Sequence, residues 1–331
     1  MGLSTRVLAG LTAPTLRSTT FAARGFLPQG HAKPELEAIP QAVVTGFEWG
    51  MGVSDLWELH RRLALVDRAQ QGFAYEGATM ASTILDAMTR SGGRRTRELM
   101  LGPGRPHTLL NLIGVGFAMA RLPRMLWKDV LPELPGLPTL PVASWLAVDG
   151  YAFDRAYFDT DVVVHGQQRP DPYPWEGDAA YFARAADQGI GRALWFITNG
   201  VPEQTRAAVL RCAAERQRDL WSGVGLAATF AGGCDAQTLQ SLTDGLPDGG
   251  SLDDPRRHLA QGAAFAAKAR VDSGFVPDHS RAACLTLTGG SPESAAALVD
   301  EGIALARRAG GSTAYEGVRA HVRSAVGARV R

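Results

Sequence analysis

Gly77-Ala-Thr-Met-Ala81, Gly114-Val-Gly-Phe-Ala118, Gly150-Tyr-Ala-Phe153, Gly189-Ile-Gly-Arg-Ala193, Gly223-Val-Gly-Leu-Ala227, Gly262-Ala-Ala-Phe-Ala266 and Gly302-Ile-Ala-Leu-Ala306 are variants of one pattern, a glycine followed within a few positions by further small residues. The leading glycines are 37, 36, 39, 34, 39 and 40 residues apart. A period of this size marks a repeated supersecondary unit. At 1.5 Å of rise per residue it accommodates two antiparallel helices of about fifteen residues plus two turns. A glycine inside a helix costs about 1 kcal/mol relative to alanine, so its recurrence in phase predicts close approach of neighbouring helices. The expected fold is therefore all-α: about seven to eight helical-hairpin units, period about 37 residues, in an α-solenoid-like array.

Outward from the glycines, Pro202 to Leu220 and Ser291 to Arg308 read as helices that open on Pro-Glu, with proline where a first helical turn tolerates it. Glycine pairs beginning or ending at Gly92, Gly232, Gly249, Gly289 and Gly310 supply the left-handed residue that ends a helix. The competing reading of Gly223-Val-Gly225-Leu-Ala-Ala228 as a dinucleotide-binding turn needs a preceding strand, and Arg216 to Leu220 has no β-branched run. The period is loosest at 131–141, with proline at every third position from Pro132 to Pro141, and at 169–175, with Pro170, Pro172 and Pro174. Both read as extended connectors. Residues 1–26, with Arg6, Arg17 and Arg24 among Ser, Thr and Ala and no continuous apolar stretch, read as a partly ordered N-terminal arm preceding a single domain over 27–331.

Composition narrows the function. The 331 residues carry 34 Lys plus Arg against 33 Asp plus Glu, so no global field draws in nucleic acid or an anionic membrane. The most apolar run, Leu109 to Leu122, contains Asn111 and Arg121 and is too short for a membrane span. Cys212, Cys234 and Cys284 are far apart, which fits a reducing cytoplasm and core-filling thiols. Seven scattered histidines offer no helix-borne metal pair, and no cofactor motif is present.

The chemistry-bearing residues cluster beside the glycines. Glu76, Asp149, Gln188 and Glu301 each precede a leading glycine, with Asp187 one step earlier. In a stacked array such positions fall in a column, and carboxylates held in an apolar groove acquire separated pKa values suited to acid and base roles. Glu76, Asp149 and Asp187 are thus the catalytic candidates, with helix capping as the competing structural role. Tyr75, His107, Tyr151, Asp154, Gln188, Arg192 and Trp195 are the substrate-binding candidates. On a helix Tyr151, Arg155 and Phe158 share one face, and Arg184, Gln188, Arg192 and Trp195 another.

Six ordered blocks, Gly72-Phe-Ala-Tyr-Glu-Gly-Ala78, Gly102-Pro-Gly104 with His107, Gly114 to Arg124, Asp149-Gly-Tyr-Ala-Phe153 with Ala156-Tyr-Phe158, Asp187 to Phe196 and Trp221 to Gly233, resemble an actinobacterial family of unassigned biochemical activity encoded in enediyne natural-product gene clusters. The resemblance spans about residues 20–325. It implies a place near the iterative polyketide synthase that makes a linear polyene, and a hydrophobic polyene or polyketide intermediate as partner. It carries over no catalytic residue. Two expectations follow: a protein that binds the polyene-derived intermediate and assists its modification or cyclisation to the enediyne core, or a non-catalytic scaffold for the synthase, another biosynthetic protein or the labile product. The first calls for an enclosed apolar cavity with carboxylates and tyrosines converging in it, the second for an open, wet concavity.

Overall fold

A computed structural model describes residues 14–28, 33–244, 246, 251, 253–311 and 314–327. Among these the regular structure is helical, with no strand: α1 (Phe21–Arg24), α2 (Lys33–Gly52), α3 (Leu56–Leu63), α4 (Gln71–Thr89), α5 (Arg94–Leu101), α6 (Thr108–Met119), α7 (Trp145–Phe158), α8 (Ala179–Ile197), α9 (Pro202–Leu210), α10 (Ala214–Ala231), α11 (Ala236–Asp244), α12 (Pro255–Asp272), α13 (Asp278–Thr288), α14 (Pro292–Ala309) and α15 (Ala314–Gly327). Gly223 and Gly225 lie inside α10, with no strand before them, so they form no dinucleotide-binding turn.

Local chemistry sets the helix ends. The Asp178 carboxylate accepts from the Ala180 and Tyr181 amides to start α8, and Asp254 and Ser291 do the same ahead of Pro255 and Pro292. Gly289 stops α13 in the left-handed region at φ +68°. Gly249 lies outside the described residues. The single helix expected over Pro202 to Leu220 is two, because Ala213 is extended and turns the chain back between α9 and α10.

Seven helices, α2, α4, α6, α7, α8, α10 and α12, pack side by side in that order. Glycine explains how closely. A Cβ on Gly77 would lie 1.9 Å from the Val43 carbonyl oxygen, and one on Gly114 would lie 2.2 Å from that of Glu76. The contact then recurs: Gly150 on the Ile113 carbonyl, Gly189 on Asp149, Gly223 on Gln188, Gly262 on Ser222. From Gly114 to Gly262 each glycine meets the residue just before the previous helix's glycine, so one register is used at five successive interfaces. Gly302 is looser, its nearest neighbour being the Val318 Cγ1 at 3.1 Å.

Helices α3, α5, α9 and α11 form hairpin returns between members of this set. Between α6 and α7, and between α7 and α8, the return passes instead through the proline-rich stretches, and neither 131–141 nor 169–174 contains a helix. Of the N-terminal arm, residues 1–13 lie outside the described residues. The part from Pro14 onward packs on the ends of α2 and α7, with Phe21 and Phe26 buried and the Tyr157 hydroxyl donating to the Thr19 carbonyl at 2.6 Å.

Candidate functional site: a polar waist in an apolar cavity

Because the six helices α4, α6, α7, α8, α10 and α12 share a register, residues at equal offsets from their leading glycines form columns. Three positions after the glycine stand Met80, Phe117, Phe153, Arg192, Leu226 and Phe265. All six face inward and line one of two adjoining cavities. The larger is walled by Phe73, Phe117, Phe153, Phe196 and Phe230, with Pro14 and Thr19 of the N-terminal segment at its edge. The smaller lies among Leu109, Ile113, Leu146, Phe265 and Ala269. Phe73, Glu76, Arg192, Leu226 and Phe230 border both and make a waist between them.

Glu76 is 2 % exposed, and its carboxyl accepts and donates no hydrogen bond among the described residues. Burial pushes it up to about 8, with Arg192 pulling the other way and Asp149 adding to the rise. At neutral pH it is a protonated acid inside an apolar chamber. Arg192 faces the same space. Its Nε is 2.7 Å from Asp149 Oδ1, its guanidinium stands 4.7 Å from the centre of the Phe153 ring, and its buried Nη2 has no hydrogen-bond partner among the described residues. Asp149 is fully buried, and its other oxygen accepts from Gln188 Nε2 at 2.7 Å. Burial raises the Asp149 carboxyl, and Arg192 and Gln188 oppose the rise.

The column one position before the glycines continues as a polar chain. Ser222 Oγ lies 3.2 Å from Gln188 Oε1 and 3.1 Å from Gln261 Oε1, and Arg319 Nε donates to that Gln261 oxygen at 3.1 Å. Beyond it lies a charged cluster: Asp219 is held by Arg319 Nη1 at 2.7 Å and Arg184 Nε at 3.0 Å, and Arg319 also donates to the Tyr181 hydroxyl at 2.9 Å.

The sequence-predicted residues divide accordingly. Glu76, Asp149, Gln188 and Arg192 come together at the waist. Asp154 borders the larger cavity, where Arg121 grips both its oxygens at 2.7 and 2.9 Å while burial lifts its carboxyl to about 6. The others lie elsewhere. Tyr75, adjacent to Glu76 in sequence, points to the far side of α4, its hydroxyl 2.6 Å from His60 Nδ1 and its ring stacked on His107 at 4.6 Å. Burial and Arg270 depress His107 to about 4. Tyr151 packs edge-on to Trp127 and lines a separate surface pocket with Arg124, Arg155 and Arg169. Asp187 is clasped by Arg216 at 2.7 Å and Arg169 at 2.5 Å, outside the cavity. Trp195 is buried and donates its indole N–H to the Gly232 carbonyl at 2.8 Å. Glu301 is exposed, 3.5 Å from His321, so the column of polar residues ends before α14.

Sequence reading missed the aromatic wall, Ser222 and Gln261. The signal was present: every residue three positions after a leading glycine is apolar except Arg192, and a charge in an otherwise apolar column is the departure that marks the site. No group of three His, Cys, Asp or Glu side chains among the described residues is arranged to hold a metal ion. No described helix is long and apolar enough to cross a membrane.

No curated protein and no solved structure matches this chain. The family model described as "Protein of unknown function (DUF1702)" matches residues 4–326, and the chain belongs to that family.

Proposed function

We propose that this protein binds an elongated, hydrophobic polyene-derived intermediate of enediyne biosynthesis in the two-chambered cavity and assists its modification or cyclisation, with Glu76 handling the proton and Arg192 orienting the ligand. The assignment to that pathway rests on the sequence resemblance. The ligand class rests on the lining. Apolar walls with a few convergent polar groups are the usual make-up of a small-molecule site. The observation that carries the reading is the unpartnered Glu76 carboxyl in that cavity: a buried acid without a partner costs stability, and such groups cluster where chemistry needs a perturbed pKa. Asp149, engaged by both Arg192 and Gln188, serves as the counter-charge that positions Arg192. Tyr75 and Tyr151 have no part in the reading. The recurrent glycine register supports the helical-hairpin array as the scaffold that curls the aromatic column around the ligand.

Diphenylhexatriene, a rod-shaped polyene that fluoresces in apolar surroundings, should bind saturably, and Leu226→Trp, which fills the waist, should abolish the signal. Incubation with extracted polyene should change its mass, or, where the reaction is a mass-conserving cyclisation, its retention time and ultraviolet absorption. Glu76→Gln should bind diphenylhexatriene as before but leave the polyene unchanged. Non-saturable fluorescence in the folded protein, or full conversion by Glu76→Gln, overturns the respective half of the reading.

A further inference from the structure

The polar groups of the cavity sit at its waist, with apolar chambers on both sides, and this position carries information about the ligand. We propose that the ligand is an uncharged chain with a carbonyl oxygen in its interior, the oxygen lodged between Arg192 and Glu76 and one apolar arm in each chamber. The inference rests on the cavity being the ligand site.

Three observations lead to it. Arg192 Nη2 carries buried N–H groups that nothing among the described residues accepts, and the Glu76 carboxyl, which lines the same two cavities, makes no hydrogen bond to a described residue. An acceptor brought between them relieves the penalty of buried, unpaired donors, which a pure hydrocarbon leaves in place. Second, Arg192 is already charge-balanced by Asp149 at 2.7 Å. A ligand carboxylate would arrive as an uncompensated charge among phenylalanines, so a neutral oxygen is preferred. Third, the lining contributed by α7 runs from Leu146 in one chamber to Phe158 in the other, twelve residues or about 18 Å of helix. Asp149, which holds Arg192, lies between those ends. A chain with its carbonyl at one terminus would fill a single chamber and leave the other empty.

Heptadecane, 2-heptadecanone, 9-heptadecanone and heptadecanoate separate these possibilities by competition against diphenylhexatriene with the wild-type chain. The expected order is 9-heptadecanone tightest, at least tenfold over heptadecane and 2-heptadecanone, with heptadecanoate weakest. Glu76→Leu should reduce the advantage of the internal ketone at least threefold without weakening heptadecane. Equal binding of heptadecane and 9-heptadecanone, tighter binding of 2-heptadecanone, or tightest binding of heptadecanoate would overturn the proposal while leaving the cavity as an apolar ligand site. Failure of diphenylhexatriene and all four competitors to bind would instead remove the cavity reading, and this inference with it.

Discussion

Glu76 and Asp219 are both buried carboxyl groups, at 2 % and 1 % exposure, and their surroundings drive them in opposite directions. Asp219 meets Arg184 and Arg319, and their charges and hydrogen bonds hold it below the usual carboxylate range despite burial. Glu76 meets phenylalanine, leucine and a guanidinium already engaged by Asp149, and burial lifts it to about 8. Burial alone therefore does not identify a chemical site. What separates the two is whether the protein has supplied enough partners to satisfy the group.

The comparison is broken most forcefully at the satisfied end. Asp219→Ala leaves the fully buried Arg319 with Glu316 as its one ion-pair partner among the described residues and should destabilise the fold by about 3–5 kcal/mol in denaturant unfolding. A loss under about 1 kcal/mol would mean the cluster is better hydrated than its burial implies. The scaffold that brings both groups together is tested next. Gly223→Ala drives a methyl into the Gln188 carbonyl, and should cost about 1–3 kcal/mol and lower diphenylhexatriene affinity.

At the unsatisfied end the sign reverses. Glu76→Leu should leave the protein at least as stable as wild type at pH 6 and about 0.5–2 kcal/mol more stable at pH 9, where the native carboxyl must ionise in an apolar chamber. The pH dependence sharpens this. Glu76 binds its proton more tightly when folded, so its contribution is complete below the ordinary carboxylate pKa and declines as pH rises toward about 8. Glu316, in the charged cluster, is held down to about 2 by Arg319, Arg323 and Arg184, so its contribution is complete above the ordinary pKa and is lost as pH falls toward about 2. Stability measured across pH 5–9 should decline less steeply in Glu76→Gln than in wild type, and a second series across pH 2–5 should show Glu316→Gln flattening the acid limb instead. The smallest effect belongs to Gly302→Ala. An added Cβ would lie 3.1 Å from the Val318 Cγ1 and 3.3 Å from its Cα, a tight contact and not an overlap, and the helix gains about 1 kcal/mol of propensity, so the net change should be close to zero.

The helical character of the chain and the closeness of its helices were legible in the spacing of glycines, because a residue without a Cβ is retained mid-helix only where a neighbour occupies the space. Legible too were the two interruptions at 131–141 and 169–175, since proline cannot donate the hydrogen bonds that would complete a helical return. Glu76, Asp149 and Gln188 could be picked out as a set because each precedes a glycine of the series. Tyr75 and Asp187, each next to one of these residues, went to other surfaces, because one step along a helix turns a side chain by about 100°.

Composition and periodicity thus specified which backbone surfaces touch, a matter of local bulk that each segment carries wherever it folds. The sharing of Arg192 between Asp149 and the cavity, the isolation of Glu76 and the gathering of phenylalanines from five helices around one space depend on residues spread along the chain from Phe73 to Phe230. Desolvation and charge pairing are properties of that enclosure, and they exist only once the helices have assembled around it.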